Sequence, residues 1–154
     1  MNKIWGVILT IVSSLGWIGQ LISAINPTLA VRLGLIEVKT DVDLTFYADV
    51  RGEAYWDTLV LWILPVAGIL LIMNNPAWVY FGLGGGGMYL YFTGRGILVR
   101  RKMQNQGIRI GSADALKVIY TFLSIWGIAT IATIVYAILV SKRIYSLGLP
   151  LETR

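Results

Sequence analysis

Apolar residues gather in four long stretches separated by polar segments, at residues 4–25, 54–73, 77–99 and 118–140. The hydrocarbon core of a bilayer is about 30 Å thick, and a helix needs roughly 20 predominantly apolar residues to cross it. Each stretch is close to that length. The pattern therefore predicts an all-α membrane protein with a single domain over residues 1–154, folded as a bundle of four transmembrane helices.

The segment between the first and second stretches carries mixed signals. Asn26 and Pro27 end the first helix and can begin a short interfacial helix, with Asn26 as the N-cap and Pro27 at the first position. Residues 36–46 alternate between apolar and polar side chains, which indicates a half-covered strand and a small hairpin, with an extended loop as the alternative. Pro65 removes one backbone donor and predicts a kink near residues 61–62.

Glycines punctuate the first and third stretches. Gly16 and Gly19 lie in the first, and Gly82 and Gly86 form a G-x-x-x-G spacing in the third. A run of glycines has a poor helix propensity, so its presence needs a reason. We expect these positions to pack closely against a neighbouring helix, as small residues do in membranes. Contact between bare backbone and a flat ligand is the alternative.

Charged residues concentrate in two connections that four spans place on the same side of the bilayer. Residues 26–57 carry six acidic and three basic residues, whereas residues 95–117 carry six basic and one acidic. The four-residue spacing of Asp49, Glu53 and Asp57 puts three carboxylates on one helix face. We expect this face to meet the basic end of the third span.

Three arginines could meet the carboxylates there, namely Arg95, Arg100 and Arg101. One interpretation is architectural, because an arginine at the edge of the hydrocarbon needs a counter-charge. The other is an interfacial pocket in which guanidinium groups bind a phosphate or a quinone carbonyl. The aromatic residues that could wall such a pocket are Tyr47, Tyr55, Trp56 and Tyr91.

The composition excludes many chemistries. The 154 residues include no His and no Cys, which excludes a conventional haem ligand, a Cys-ligated iron–sulfur cluster and an ordinary zinc site. The sequence contains no enzyme motif, so we predict no catalytic residue, no cofactor and no metal. The net charge of +5 fits membrane topology and anionic lipid headgroups, and it does not indicate nucleic-acid binding.

Three functions are compatible with these features. The first is a non-enzymatic integral subunit or accessory protein that packs into or assists a larger membrane complex. The second is a lipid- or quinone-binding protein that uses the arginine and carboxylate pocket. The third is a small oligomeric transporter, which is disfavoured because no ionisable group lies at mid-depth in the first, second or fourth span. The expected partners are membrane lipids and either a larger complex or further copies of the chain.

Three dipeptides ahead of the second span carry a resemblance to a known family: Asn26-Pro27, Leu33-Gly34 and Arg51-Gly52. Over about residues 15–70 the chain resembles the DoxX-like group of small four-helix bacterial membrane proteins. The resemblance implies a four-helix bundle in a prokaryotic cell membrane. Some members of the group are associated with redox enzymes or quinone metabolism, and the resemblance also implies such an association. It implies no catalytic residue for this chain.

Overall fold

The structure, a computed structural model, describes residues 2–146, with side chains described for residues 3–142. These residues form six helices. The helices are α1 (Asn2–Ile25), α2 (Pro27–Arg32), α3 (Leu44–Val60), α4 (Ile63–Ile72), α5 (Trp78–Asn105) and α6 (Ala113–Ser146). Helix α2 occupies the position expected for the short helix after Asn26, whose side chain accepts a hydrogen bond from the Leu29 N–H. Residues 147–154 lie outside the described part.

Residues 36–46 form no strand, so the predicted hairpin is wrong. Residues 36–43 form a loop, and residues 44–46 are the first turn of α3. Its alternating pattern has another cause: Val42 and Phe46 are buried against Ile110 and Leu116, whereas Leu44 between them is exposed. Val42 and Phe46 therefore cover the connection between α5 and α6, and they pair with no neighbouring strand.

The second predicted span is divided into two helices. Helix α3 ends at Val60 and α4 begins at Ile63, with Leu61 and Trp62 between them. The break lies where the sequence predicts a kink. Pro65 has no N–H to donate to the Leu61 carbonyl, so the ladder of helical hydrogen bonds is interrupted at this turn.

Three stretches of the described chain are long and apolar enough to cross a membrane, namely Lys3–Ile25, Leu44–Ile72 and Ala113–Lys142. The remaining predicted span, residues 77–99, is also helical but lies within α5, whose glycines and basic C-terminal end make it less apolar. Helix α5 packs against α4 on one side and α6 on the other. Part of its surface is therefore covered by protein.

Glycines bring α4 into backbone contact with both of its main neighbours. A Cβ added to Gly85 of α5 would lie 2.7 Å from the Leu64 nitrogen of α4. A Cβ added to Gly68 of α4 would lie 2.8 Å from the Thr10 nitrogen of α1. Both distances are shorter than a van der Waals contact, so only glycine lets the helices approach this closely.

The four glycines that we expect to pack closely lie opposite other parts of the chain, at different distances. A Cβ on Gly16 would lie 3.2 Å from the Trp126 and Tyr89 rings, and one on Gly86 would lie 2.7 Å from the Ile134 side chain. A Cβ on Gly82 would lie 3.6 Å from Thr133, and one on Gly19 would meet only Leu35, at 3.8 Å. Gly19 therefore has room for a Cβ in ordinary contact.

Helices α2, α4 and α5 end in the same kind of turn. The residues that follow them, Gly34, Asn74 and Gly107, have φ values of 69°, 55° and 76°. In each turn the next N–H donates to the carbonyl five positions earlier, which satisfies a carbonyl that the helix leaves free. The turn at Asn74 places α5 antiparallel to α4.

The acidic and basic connections meet at one end of the bundle, as the charge pattern predicts. The Asp43 N–H donates to the Arg109 carbonyl at 2.9 Å, and the Asp43 carboxylate accepts from the Arg109 N–H. Asp43 is also the residue before α3, but its carboxylate caps no N–H of that helix. The contact fixes the start of α3 to the segment that follows α5.

Candidate functional site

Arg95 of α5 joins two carboxylates of α3. Its Nη2 lies 2.5 Å from Asp49 Oδ1, and its Nη1 lies 2.7 Å from Glu53 Oε1. The side chains of Arg95 and Asp49 are each 25% exposed, whereas that of Glu53 is 6% exposed. One helical turn separates the two carboxylates, so a single guanidinium can reach both. Arg95 is thereby compensated by this chain and links α3 to α5.

Arg100 is more deeply placed and less completely paired. Its side chain is 11% exposed, and its Nη1 donates to the Gly96 carbonyl at 3.0 Å and lies 4.0 Å from Glu53 Oε2. Its guanidinium stands over the Phe46 ring, 5.6 Å from the ring centre. The Nε atom is buried and has no hydrogen-bond partner among the described residues. Arg100 therefore retains a donor that the described part of the chain leaves unused.

Three other predicted site residues lie away from this cluster. Arg101 is exposed and forms no ion pair with the described residues. Tyr55 is exposed and lies under the guanidinium of Arg51, which donates to the Ala24 carbonyl at the end of α1. Tyr47 packs on the apolar cluster between the two connections. These residues have structural neighbours but line neither pocket described below.

A first pocket, of about 210 Å³, opens between α3 and α5 and is called the α3/α5 pocket here. Its lining residues are Gly52, Glu53, Trp56, Asp57, Tyr91 and Arg95. Asp57 is only 2% exposed, and its Oδ2 has no hydrogen-bond partner in the described part of the chain. No three acidic groups of the described residues are arranged to hold a metal ion.

A second pocket, of about 330 Å³, lies between α1 and α6 and is called the α1/α6 pocket here. Arg100 lines it together with the aromatic rings of Phe92, Phe122 and Trp126. Helix α1 contributes small and polar residues, namely Gly16, Gly19, Gln20 and Ser23. The sequence interpretation missed this pocket, although these four positions repeat at helical spacing and could have indicated a polar face.

Glu37 lies in the acidic connection, outside the candidate spans, and contacts the basic connection. Burial raises the pKa of its carboxyl group above the ordinary value of 4.5, and the charge of Asp41 raises that pKa further. The carboxylate packs against Gly111, where an added Cβ would lie 2.6 Å from Glu37 Oε1. Gly111 has a φ of 119°, which only glycine adopts readily.

Comparison of this chain with family models, curated proteins and solved structures found no match. The resemblance to the DoxX-like group therefore stays a prediction.

Proposed function

We propose that this chain is a non-enzymatic integral membrane protein that binds a lipophile with an acidic or carbonyl head group in the α1/α6 pocket. The proposal is carried by a single observation. Arg100 lines this pocket, and its Nε is buried and has no hydrogen-bond partner among the described residues. The argument depends first on how the chain lies in the bilayer, and then on the chemistry of the pocket.

In this proposal α5 is a fourth membrane crossing beside the three apolar stretches. It has 28 residues and is therefore about 42 Å long, which exceeds the hydrocarbon thickness. Residues 78–94 contain no charged side chain. Packing against α4 and α6 reduces the area that lipid must cover, so α5 needs less hydrophobicity than an isolated span.

The α1/α6 pocket combines apolar walls with one cationic group. Its volume is at the lower end of the range for small-molecule sites, roughly 300–1,000 Å³. Aromatic rings supply flat apolar contacts for a ring or an acyl chain. A carboxylate, phosphate or carbonyl oxygen would satisfy the free N–H of Arg100. Arg95 is less suited to this role, because two carboxylates already neutralise it.

The test is to purify the chain in a mild detergent and to identify the retained lipophiles by mass spectrometry. We expect a lipophile with an acidic or carbonyl head group to be retained by the wild type and lost in Arg100→Gln. The exposed neighbour Arg101 provides the matched control, and Arg101→Gln should retain the ligand. Gly19→Leu should also expel it, because Gly19 lines the pocket and the added side chain would occupy part of the ligand's volume while leaving Arg100 intact. Equal retention in all four proteins would refute the proposal.

A role as an accessory subunit of a larger membrane complex is the second candidate. It is favoured by the outer face of α5, where a Cβ added to Gly84, Gly87 or Gly94 would meet nothing within 4 Å. Such bare positions allow a helix of another protein to approach closely. The same purification separates the two functions, because an accessory subunit would be isolated with a stoichiometric protein partner.

A further inference from the structure

Asp57 is a buried carboxylate that forms no ion pair with the described residues. The residue is 2% exposed, and its Oδ2 has no hydrogen-bond donor among the described residues. A buried carboxylate oxygen without a donor is costly, so such an oxygen needs an explanation. Asp57 lines the α3/α5 pocket, which is open enough to admit a small molecule. We propose that the α3/α5 pocket binds a primary ammonium group, with Asp57 as its main hydrogen-bond acceptor.

The charges around the pocket favour a monovalent cation. Asp49, Glu53 and Asp57 supply three carboxylates, whereas Arg95 and Arg100 supply two guanidinium groups. Arg95 is engaged by Asp49 and Glu53, and Arg100 lies beside Glu53. One negative charge is therefore left when all five groups are ionised, and it belongs to the deepest carboxylate. A single ammonium group would balance it.

The pocket walls favour an organic cation over a metal ion. Trp56 and Tyr91 line the opening and are each more than half exposed. Their ring faces attract an alkylammonium group through cation–π interactions. A metal ion would require several oxygen ligands, and no three acidic groups of the described residues are placed to supply them.

The unpartnered oxygen also distinguishes between classes of ammonium group. A primary ammonium carries three N–H donors and can satisfy Asp57 Oδ2 directly. A quaternary ammonium carries the same charge but no N–H, so it would leave the oxygen without a hydrogen bond. The pocket is thereby expected to prefer a primary amine, whether from a soluble alkylamine or from the headgroup of an ethanolamine lipid. The inference concerns a different pocket from the proposed function and does not depend on it.

The experiment measures the affinity of butylammonium for the full chain in phosphatidylcholine nanodiscs by isothermal titration calorimetry. Butyltrimethylammonium, which has the same chain and charge but no N–H, is the matched probe and should bind at least tenfold more weakly. Asp57→Asn should weaken butylammonium binding at least tenfold, whereas Asp41→Asn, in the exposed loop, should leave it unchanged. Trp56→Leu alters an exposed side chain and should weaken binding about threefold.

Nanodiscs made with phosphatidylethanolamine distinguish the two sources of the amine. Weaker binding of butylammonium in these nanodiscs than in phosphatidylcholine would identify the lipid headgroup as the occupant. Equal binding in both would identify a soluble amine. Equal affinity for the two probes would overturn the proposal, and so would an unchanged affinity in Asp57→Asn. An unchanged affinity in Trp56→Leu would overturn the cation–π contact. Loss of lipophile in Arg100→Gln is a separate result and bears only on the α1/α6 pocket.

Discussion

Replacing Gly85 by alanine tests whether the contact between α5 and α4 limits the stability of the fold. The added Cβ would lie 2.7 Å from the Leu64 nitrogen, 2.8 Å from its Cα and 3.0 Å from the Ile63 carbonyl carbon. Carbon atoms pack best at about 3.5–4.0 Å, so the two helices must separate by roughly 0.7 Å or more. All three atoms belong to the backbone, and no side-chain rotation can relieve the overlap.

The neighbouring residue supplies the matched control for this substitution. Gly84 lies in the same helix, and a Cβ there would meet nothing within 4 Å. Both substitutions gain about 1 kcal/mol from the better helix propensity of alanine, so this contribution cancels when the variants are compared. The difference that remains is the overpacking energy, about 1–3 kcal/mol. We expect Gly84→Ala to be slightly more stable than wild type and Gly85→Ala to be less stable than Gly84→Ala by that amount.

The free energy of unfolding should be measured for both variants and the wild type in mixed micelles, from the helical circular dichroism signal during titration with sodium dodecyl sulfate. Gly86→Ala extends the series, because its Cβ would meet the side chain of Ile134, which can move. It should lie between the other two variants. The reasoning fails if Gly85→Ala and Gly84→Ala unfold with the same free energy.

Two further predictions concern charged residues. Arg95→Ala leaves Asp49 and the nearly buried Glu53 without their main partner and should lower the free energy of unfolding by about 2 kcal/mol. This loss is smaller than that for a fully buried ion pair, because Arg95 and Asp49 are partly exposed. Arg101→Ala should change the free energy of unfolding by less than about 0.5 kcal/mol, and equal effects in the two variants would contradict a stabilising role for the ion pairs. The raised pKa of Glu37 means that the folded state binds a proton more tightly than the unfolded state, so stability should fall as the pH rises from 4.5 through the folded-state pKa. Glu37→Gln should remove that part of the pH dependence of unfolding, and an unchanged slope would show that another group is responsible.

Local signals predicted the helices and several of their ends. Each long apolar stretch is continuous in sequence. The pair Asn26-Pro27 and the missing donor at Pro65 act within one or two helical turns. The sequence alone therefore contains the effect of these signals. Residues 36–46 misled the interpretation because Val42 and Phe46 are covered without any strand, whereas Leu44 between them is exposed. In this protein the cover is supplied by Ile110 and Leu116, which lie far away along the chain.

The α1/α6 pocket could not be derived in the same way. It arises because α1 and α6, which are distant in sequence, make few contacts with each other while both pack on other helices. The sequence showed that Gly16 and Gly19 are small, but it did not show that an added Cβ would crowd two aromatic rings at Gly16 and meet only Leu35, at 3.8 Å, at Gly19. That difference depends on the distance between helix axes, which no local pattern specifies.

Asp57 is the carboxylate on this face of α3 that forms no ion pair among the described residues. Asp49 and Asp57 are separated by two turns of α3, about 12 Å, which is too far for one guanidinium to span. Arg95 therefore reaches only the two nearer carboxylates. Arg100 lies 4.0 Å from Glu53, and no ion pair of the described residues includes Asp57. The two guanidinium groups therefore lie with Asp49 and Glu53, and Asp57, which is 2% exposed, is left to line the α3/α5 pocket.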